Sequence, residues 1–281
     1  MLKIKSGIPS HKHKKGKLGL EIECEFNSPL YDIEPSIYDN ITKIWRVEED
    51  GSLKGYSNEF VIKEPCSLVS MRKNIINLKN NLNNGKVKVK ESVRAGVHVH
   101  LNVQELTPLQ VFRLGLLFYI LETPITKFCG ENRVGNLFCL RYRDAEYIHE
   151  FLVKAYKYAK QNDVAGVIST LSTDYIRYAA LNYTSLIKYG SIEFRCMETR
   201  PNFDGIEDFL NIILALESYA INGPKLGQSP EDLAYLGPDM WMRKVRGPVA
   251  DKLMYPGIDD DIMTDFRYVQ HLLYKLKELE E

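Results

Sequence analysis

Lys17-Leu18-Gly19-Leu20-Glu21-Ile22-Glu23-Cys24-Glu25-Phe26 alternates with a period of two. Successive side chains of a strand point to opposite faces. The stretch therefore predicts a strand with Leu18, Leu20, Ile22, Cys24 and Phe26 on one face and Glu21, Glu23 and Glu25 on the other. Two more stretches divide in the same way. Over 97–103, Val97, Val99, Leu101 and Val103 oppose His98, His100 and Asn102. Over 191–197, Ile192, Phe194 and Cys196 oppose Glu193 and Arg195. A half-exposed antiparallel sheet normally has a polar outer face. Here, however, one strand offers only carboxylates and another only imidazoles and an amide, not the mixed Thr, Lys, Ser and Gln of a solvated face.

Working outward, further strands are expected over 44–48, 59–63, 86–90 and 177–186, with an Asp50-Gly51-Ser52 turn and a Lys188-Tyr189-Gly190 turn. Residues 67–83 predict an amphipathic helix with Leu68, Met71, Ile75, Leu78 and Leu82 on one stripe and Gly85 closing it. Thr107-Pro108 opens a strongly apolar helix to about Phe128. Helices are also expected over 144–160, 164–171 and 204–220, with a last one from about Asp261 after a Pro/Gly-punctuated stretch. Strands in pairs with helices between them predict an α+β fold. The chain divides into a basic arm over 1–17, a catalytic unit over 18–222 and an extension over 223–281 packed on that same unit. The run His11-Lys12-His13-Lys14-Lys15 reads as a solvated tail.

The 281 residues are ample for a real core. Lys plus Arg equals Asp plus Glu, 37 against 37, so the basic excess of a general nucleic-acid binder is missing. Five cysteines, none spaced as CxxC, predict reduced and mostly buried thiols in a cytoplasmic protein. No apolar run opens the chain, and the longest contains Arg113 and is shorter than the ~20 residues of a membrane span. The sequence sets no oligomeric state, and a homo-oligomer is compatible with it.

Carboxylates stacked on one face repel unless a cation sits among them. Oxygen-rich ligand sets favour Mg²⁺ or Mn²⁺ over zinc, and Mg²⁺ commonly bridges to phosphates. The polar face thus predicts bound cations holding a transferring phosphoryl group, with Arg195 beside them as a charge clamp. There is no Walker loop and no GxGxxG, so ATP would be held by metals and arginines. Arg133, Arg141, Arg143, Arg177, Arg195 and Arg200 are the arginines considered.

Gly19-Leu20-Glu21-Ile22-Glu23, Asp50-Gly51-Ser52, Glu59-Phe60-Val61, Gly96-Val97-His98-Val99-His100 and Ser191-Ile192-Glu193-Phe194-Arg195 follow one another in that order. The ordered set, from about Leu18 to Ala220, resembles the putative amidoligase family. That family is often phage-encoded and looks like a branch of the glutamine synthetase and glutamate–cysteine ligase superfamily. The resemblance implies a curved antiparallel sheet whose concave face holds ATP and Mg²⁺, helices on its other side, and a cytoplasmic setting, for a phage protein the infected host. It implies Glu21, Glu23, Glu59, His98 and Glu193 as metal ligands, with Arg195 and Glu193 catalytic. Arg195, His100, Arg133 and Arg177 would lie toward the nucleotide, with Arg133 in the segment Arg133-x-x-Asn136-x-Phe138-Cys139. Asp50 would lie near the amine, outside the metal shell. Where the family has Val-Ser-Pro after its third Glu, this chain has Val61-Ile62-Lys63-Glu64-Pro65. Glu59 and Glu64 both remain candidates for that ligand, and Glu59 is preferred because it heads the matching pair.

The implied activity is ATP-dependent joining of a small-molecule or peptide carboxylate to an amine through an acyl phosphate. A guanidino-kinase-like phosphotransferase is a second reading, and a non-catalytic accessory or nucleic-acid-binding protein a third.

Overall fold

The computed structural model describes residues 1–222 and 253–278. The Pro/Gly-punctuated connection expected after Gly223 lies largely outside the described residues. Six antiparallel strands form one open sheet in the order β2-β3-β1-β4-β6-β5. They are β1 (Leu18–Phe26), β2 (Trp45–Glu48), β3 (Tyr56–Ile62), β4 (Gly96–Asn102), β5 (Leu181–Asn182) and β6 (Ser191–Glu198). With helices packed against one face, the architecture is α+β, as the paired strands predict.

The apolar face works as the alternation requires. Leu18, Leu20, Ile22, Cys24 and Phe26 of β1, Val97, Val99 and Leu101 of β4, and Ile192, Phe194 and Cys196 of β6 are fully buried in one core. Helix α3 (Pro108–Ile120) lies on that core, with Phe118 edge-on to Phe194 at 5.5 Å. Thr107 and Gln110 close a capping box at its start, and Pro108 occupies the first turn. Helix α2 (Leu68–Asn84) starts at Ser67, whose hydroxyl accepts the Ser70 N–H, and buries Met71, Ile75, Leu78 and Leu82. Gly85 ends it in a right-handed conformation. Its missing side chain serves close approach instead, since a Cβ there would stand 2.7 Å from the Ile33 side chain.

The remaining α-helices among the described residues are α1 (Pro35–Ile44), α4 (Glu122–Cys129), α5 (Glu146–Lys160), α6 (Val164–Leu171), α7 (Ser185–Tyr189), α8 (Ile206–Asn222) and α9 (Ile258–Glu278). Helix α9 packs on α3, α4 and α5. No single helix among the described residues is long and apolar enough to cross a membrane. The five cysteines are free, and four are buried.

Several expectations need correction. The helix over 107–128 is two helices bent by 69°. Pro124 has no N–H to give the Ile120 carbonyl, so the turn at Leu121 breaks the run. Residues 86–90 form no strand. Only Val89 bridges to Phe26, with Lys90 N–H on the Glu25 carbonyl. The strand expected over 177–186 shrinks to Leu181–Asn182, because the Asn182 side chain accepts the Thr184 N–H at 2.9 Å and turns the chain into α7. Helix α1 was not anticipated, although Pro35 at its start and Ile37, Ile41 and Ile44 along one side mark it.

The start of the N-terminal segment is docked, while the basic run over 11–15 is mostly exposed. Ile4 and Ile8 are buried, and the Ile4 and Lys5 N–H groups donate to the Leu106 and Gln104 carbonyls at 2.8 and 3.0 Å. Two isoleucines four apart decide this; the basic run beside them hid the signal.

Candidate active site

The strand registers carry the polar residues into one row. Glu59 of β3 stands opposite Glu23 of β1, Glu21 opposite His98 of β4, and His100 opposite Glu193 of β6. Asn182 of β5 stands opposite Glu193 in turn. A bulge in β6 sets Val97 against Met197 but Val99 against Phe194. One extra residue is thus accommodated opposite His98.

The side chains meet. His98 Nδ1 is 3.3 Å from Glu21 Oε2 and 3.6 Å from Glu193 Oε1, and its Nε2 is 3.6 Å from Glu23 Oε1. His100 Nε2 is 3.1 Å from Glu21 Oε1, and its Nδ1 lies 3.4 Å from Ser191 Oγ. Arg195 Nη1 donates to Glu193 Oε1, while Asn182 Nδ2 donates to Glu193 Oε2 at 2.7 Å. Glu23 accepts the Gly96 N–H at 2.6 Å. All of these residues lie on the face opposite the core.

Three sets of ligand atoms come within 4.8 Å of one another: Glu21, Glu59 and His98; Glu21, His100 and Glu193; and Glu23, Asp50 and Glu59. Glu21 and Glu59 are each shared by two sets. This donor chemistry, mostly carboxylate oxygen with imidazole, fits Mg²⁺ or Mn²⁺. The same crowding shifts the proton affinities of the row. Burial pushes the Glu59 carboxyl up to about 8, helped by the charges of Glu21, Glu23 and Asp50. Burial also acts to raise Glu21, but the charge and hydrogen bond of His100, with His98 behind them, outweigh it and hold Glu21 well below the usual carboxylate range. His100 responds in kind. Burial would lower it, yet Glu21 drives it up to about 9. Adjacent carboxylates split in this way when protons do the work that a divalent cation could do.

Each expected site residue can now be placed. Glu21, Glu23, Glu59, His98, His100, Glu193 and Arg195 are brought together. Glu59 lies in the cluster, whereas Glu64 is exposed and faces Lys14 at 3.3 Å. Asp50 was expected beside the amine and away from metal, but its carboxylate comes within reach of Glu23 and Glu59, while Oδ1 accepts the Ser52 N–H at 2.6 Å. Arg133, expected at the nucleotide, is 1% exposed and donates to the Arg195 carbonyl at 2.8 Å. Its Nε and Nη1 find no hydrogen-bond partner among the described residues. It runs under Gly96, where a Cβ would stand 3.0 Å from Nη2, 3.2 Å from His98 Nε2 and 3.3 Å from Glu23 Oε2. Gly96 is small because three functional side chains converge on it. Arg177 is exposed and stacks on Tyr178 at 4.5 Å, outside the cluster.

Sequence reasoning missed Asn182 and the Gly96 N–H, which orient Glu193 and Glu23. Asn182 carried no signal before its strand partner was known. A 240 Å³ cavity adjoins the row at Glu21 and His100 and is also lined by Lys14, Arg46, Lys63, Asn102 and Tyr189.

The family model described as putative amidoligase enzyme matches residues 9–208. No curated protein matches the chain.

Proposed function

The chain belongs to the putative amidoligase family, and from that premise we propose that it is an ATP- and Mg²⁺-dependent ligase joining a carboxylate to an amine. The observation that carries the finer reading is the row of three overlapping ligand sets on one sheet face, two of carboxylates with an imidazole and one of carboxylates alone, with Arg195 at its edge.

In this reading a carboxylate oxygen of the first substrate attacks the γ-phosphorus of ATP and ADP leaves. The amine nitrogen of the second substrate then attacks the acyl carbon, loses a proton and expels inorganic phosphate. Glu21, Glu23, Glu59, His98 and Glu193 would hold Mg²⁺ or Mn²⁺, which when bound would neutralise phosphoryl oxygens. Arg195 faces the phosphates, held in place by Glu193 and the Phe138 carbonyl. Buried and preorganised, these groups favour the charge of the transition state. Asp50, fixed by its Ser52 hydrogen bond, attracts the ammonium and takes its proton.

The test is to incubate the protein with ATP, Mg²⁺ and pools of carboxylates and amines, then identify products by mass spectrometry. ADP and phosphate in equal amounts with a new amide are expected. ADP with a stable phosphorylated acceptor would make the protein a phosphotransferase. If ATP with Mg²⁺ neither turned over nor raised the melting temperature, the enzymatic reading would fall. Asp50→Asn should raise the KM for the amine or lower kcat while ATP affinity stays near normal.

A further inference from the structure

A second polar cavity lies on the helix side of the sheet. It measures about 400 Å³ and is lined by Tyr142, Arg143, His149, Glu150, Arg267, Tyr268, His271 and Lys275. Arg143 comes from a 3-10 turn, His149 and Glu150 from α5, and the rest of the charge from α9. Because α9 packs on α3, α4 and α5, and α3 covers the apolar sheet face, this cavity stands away from the Glu/His row.

Its charge is one-sided. Arg143, Arg267 and Lys275 are permanent cations, His149 and His271 add two imidazoles, and Glu150 is the single carboxylate in the lining. Arg267, His271 and Lys275 are spaced four apart, so they form one stripe along α9. Among the described residues neither Arg267 nor Lys275 has an ion pair. Arg143 reaches Asp265 and Asp144 only at 3.8 and 3.9 Å. The two histidine rings approach at 6.2 Å, and Tyr142 Oη hydrogen-bonds His149 Nδ1 at 2.8 Å. The cavity falls in the size range of small-molecule pockets, roughly 300–1,000 Å³.

We propose that this cavity, framed by Arg143, His149, Arg267, His271 and Lys275, binds a small anion carrying two or more phosphoryl groups, independently of the sheet site. Three cations converging from two elements, with imidazoles beside them, match a multiply charged anion better than a single carboxylate, and arginine forks suit phosphoryl oxygens.

The test uses the full chain, pyrophosphate as probe and EDTA to silence the carboxylate row, read by calorimetry at low ionic strength. Saturable binding of one pyrophosphate is expected. The double substitution Arg267→Gln/Lys275→Gln should weaken it about tenfold, as loss of two charges from a half-exposed anion site implies. Arg195→Gln should change it less than about twofold. Both α9 side chains are exposed, and a thermal melt verifies that the double variant is folded. Absence of saturable binding, an unchanged Kd in the double variant, or a loss confined to Arg195→Gln would overturn the proposal. Equal or tighter binding of citrate would overturn the phosphoryl assignment.

Discussion

Two of the regions where carboxylates are buried, the polar sheet face and the interface of α4 with α9, bury them on different terms. On the sheet, Glu21, Glu23, Glu59 and Glu193 face one another across strands with imidazoles between them. At the helix interface, Asp265 accepts the Thr123 N–H and hydroxyl at 2.6 and 2.7 Å, and Glu122 accepts the Tyr142 N–H at 2.8 Å. In the second pair each acid is tied to a backbone N–H, although Glu122 Oε1 has no hydrogen-bond partner among the described residues. The first group converges on shared space. Buried acid alone therefore marks no site. What distinguishes the sheet is that several acids reach the same point from different strands.

The sharpest way to break that contrast is to remove charge without volume. Glu193→Gln should lower ligase turnover by about a thousandfold or more while leaving the melting temperature within a few degrees. Steady-state kinetics on the folded variant would check this, and near wild-type turnover would show that the row is not catalytic. Asp265→Ala should do the reverse. It leaves two buried Thr123 donors and the Arg143 charge without their acceptor, which costs about 3 kcal/mol in urea unfolding. Activity per folded molecule should stay close to normal.

The same contrast explains what the sequence could and could not disclose. Alternation at 17–26, 97–103 and 191–197 disclosed both the strands and the shared polar face, because period-two patterning encodes side-chain direction. It could not disclose register, which depends on pairing, so the union of Glu59 with Glu23 and of His100 with Glu193 rested on the family resemblance. The break at Leu121 was legible in Pro124 but outweighed by the length of the apolar run. Buried Arg133 read as a nucleotide contact because residue type says nothing of depth. Glu122 and Asp265 are separated by more than 140 residues, and no local pattern joins them.

A third, smaller effect concerns cations. Mg²⁺ at about a hundred times its Kd should stabilise the protein by about 2.7 kcal/mol, a rise of several degrees in Tm. Glu59→Gln should abolish most of that rise, since Glu59 belongs to two of the three ligand sets. Glu122→Gln should preserve it. Equal shifts in both variants would mean that the cation sits elsewhere.

The smallest effect is the pH dependence of stability, where Asp265 and Glu21 carry opposite signs and Glu59, raised to about 8 by burial and its neighbouring carboxylates, acts in the same direction as Asp265. Burial, opposed by the Thr123 hydrogen bonds, raises Asp265 from 3.8 to about 6. Between those values the folded chain binds more protons than the unfolded one, so stability falls as pH rises from about 4 to about 6. Glu122 is raised as well, first by burial and then by Asp265, and extends the fall upward. Glu21 is held low by His100 and His98 despite its burial, so its contribution is present above the ordinary carboxylate range and is lost as pH drops below it. In EDTA, urea unfolding at pH 4.5 and 7 should therefore show a loss toward pH 7, of which Asp265 supplies on the order of 2 kcal/mol. Asp265→Asn keeps an acceptor for Thr123 and has nothing to titrate, so the difference between the two pH values should shrink by about that amount. An unchanged difference in Asp265→Asn would place the titrating group elsewhere, and the α4–α9 acids would then carry no pH signature to set against the sheet.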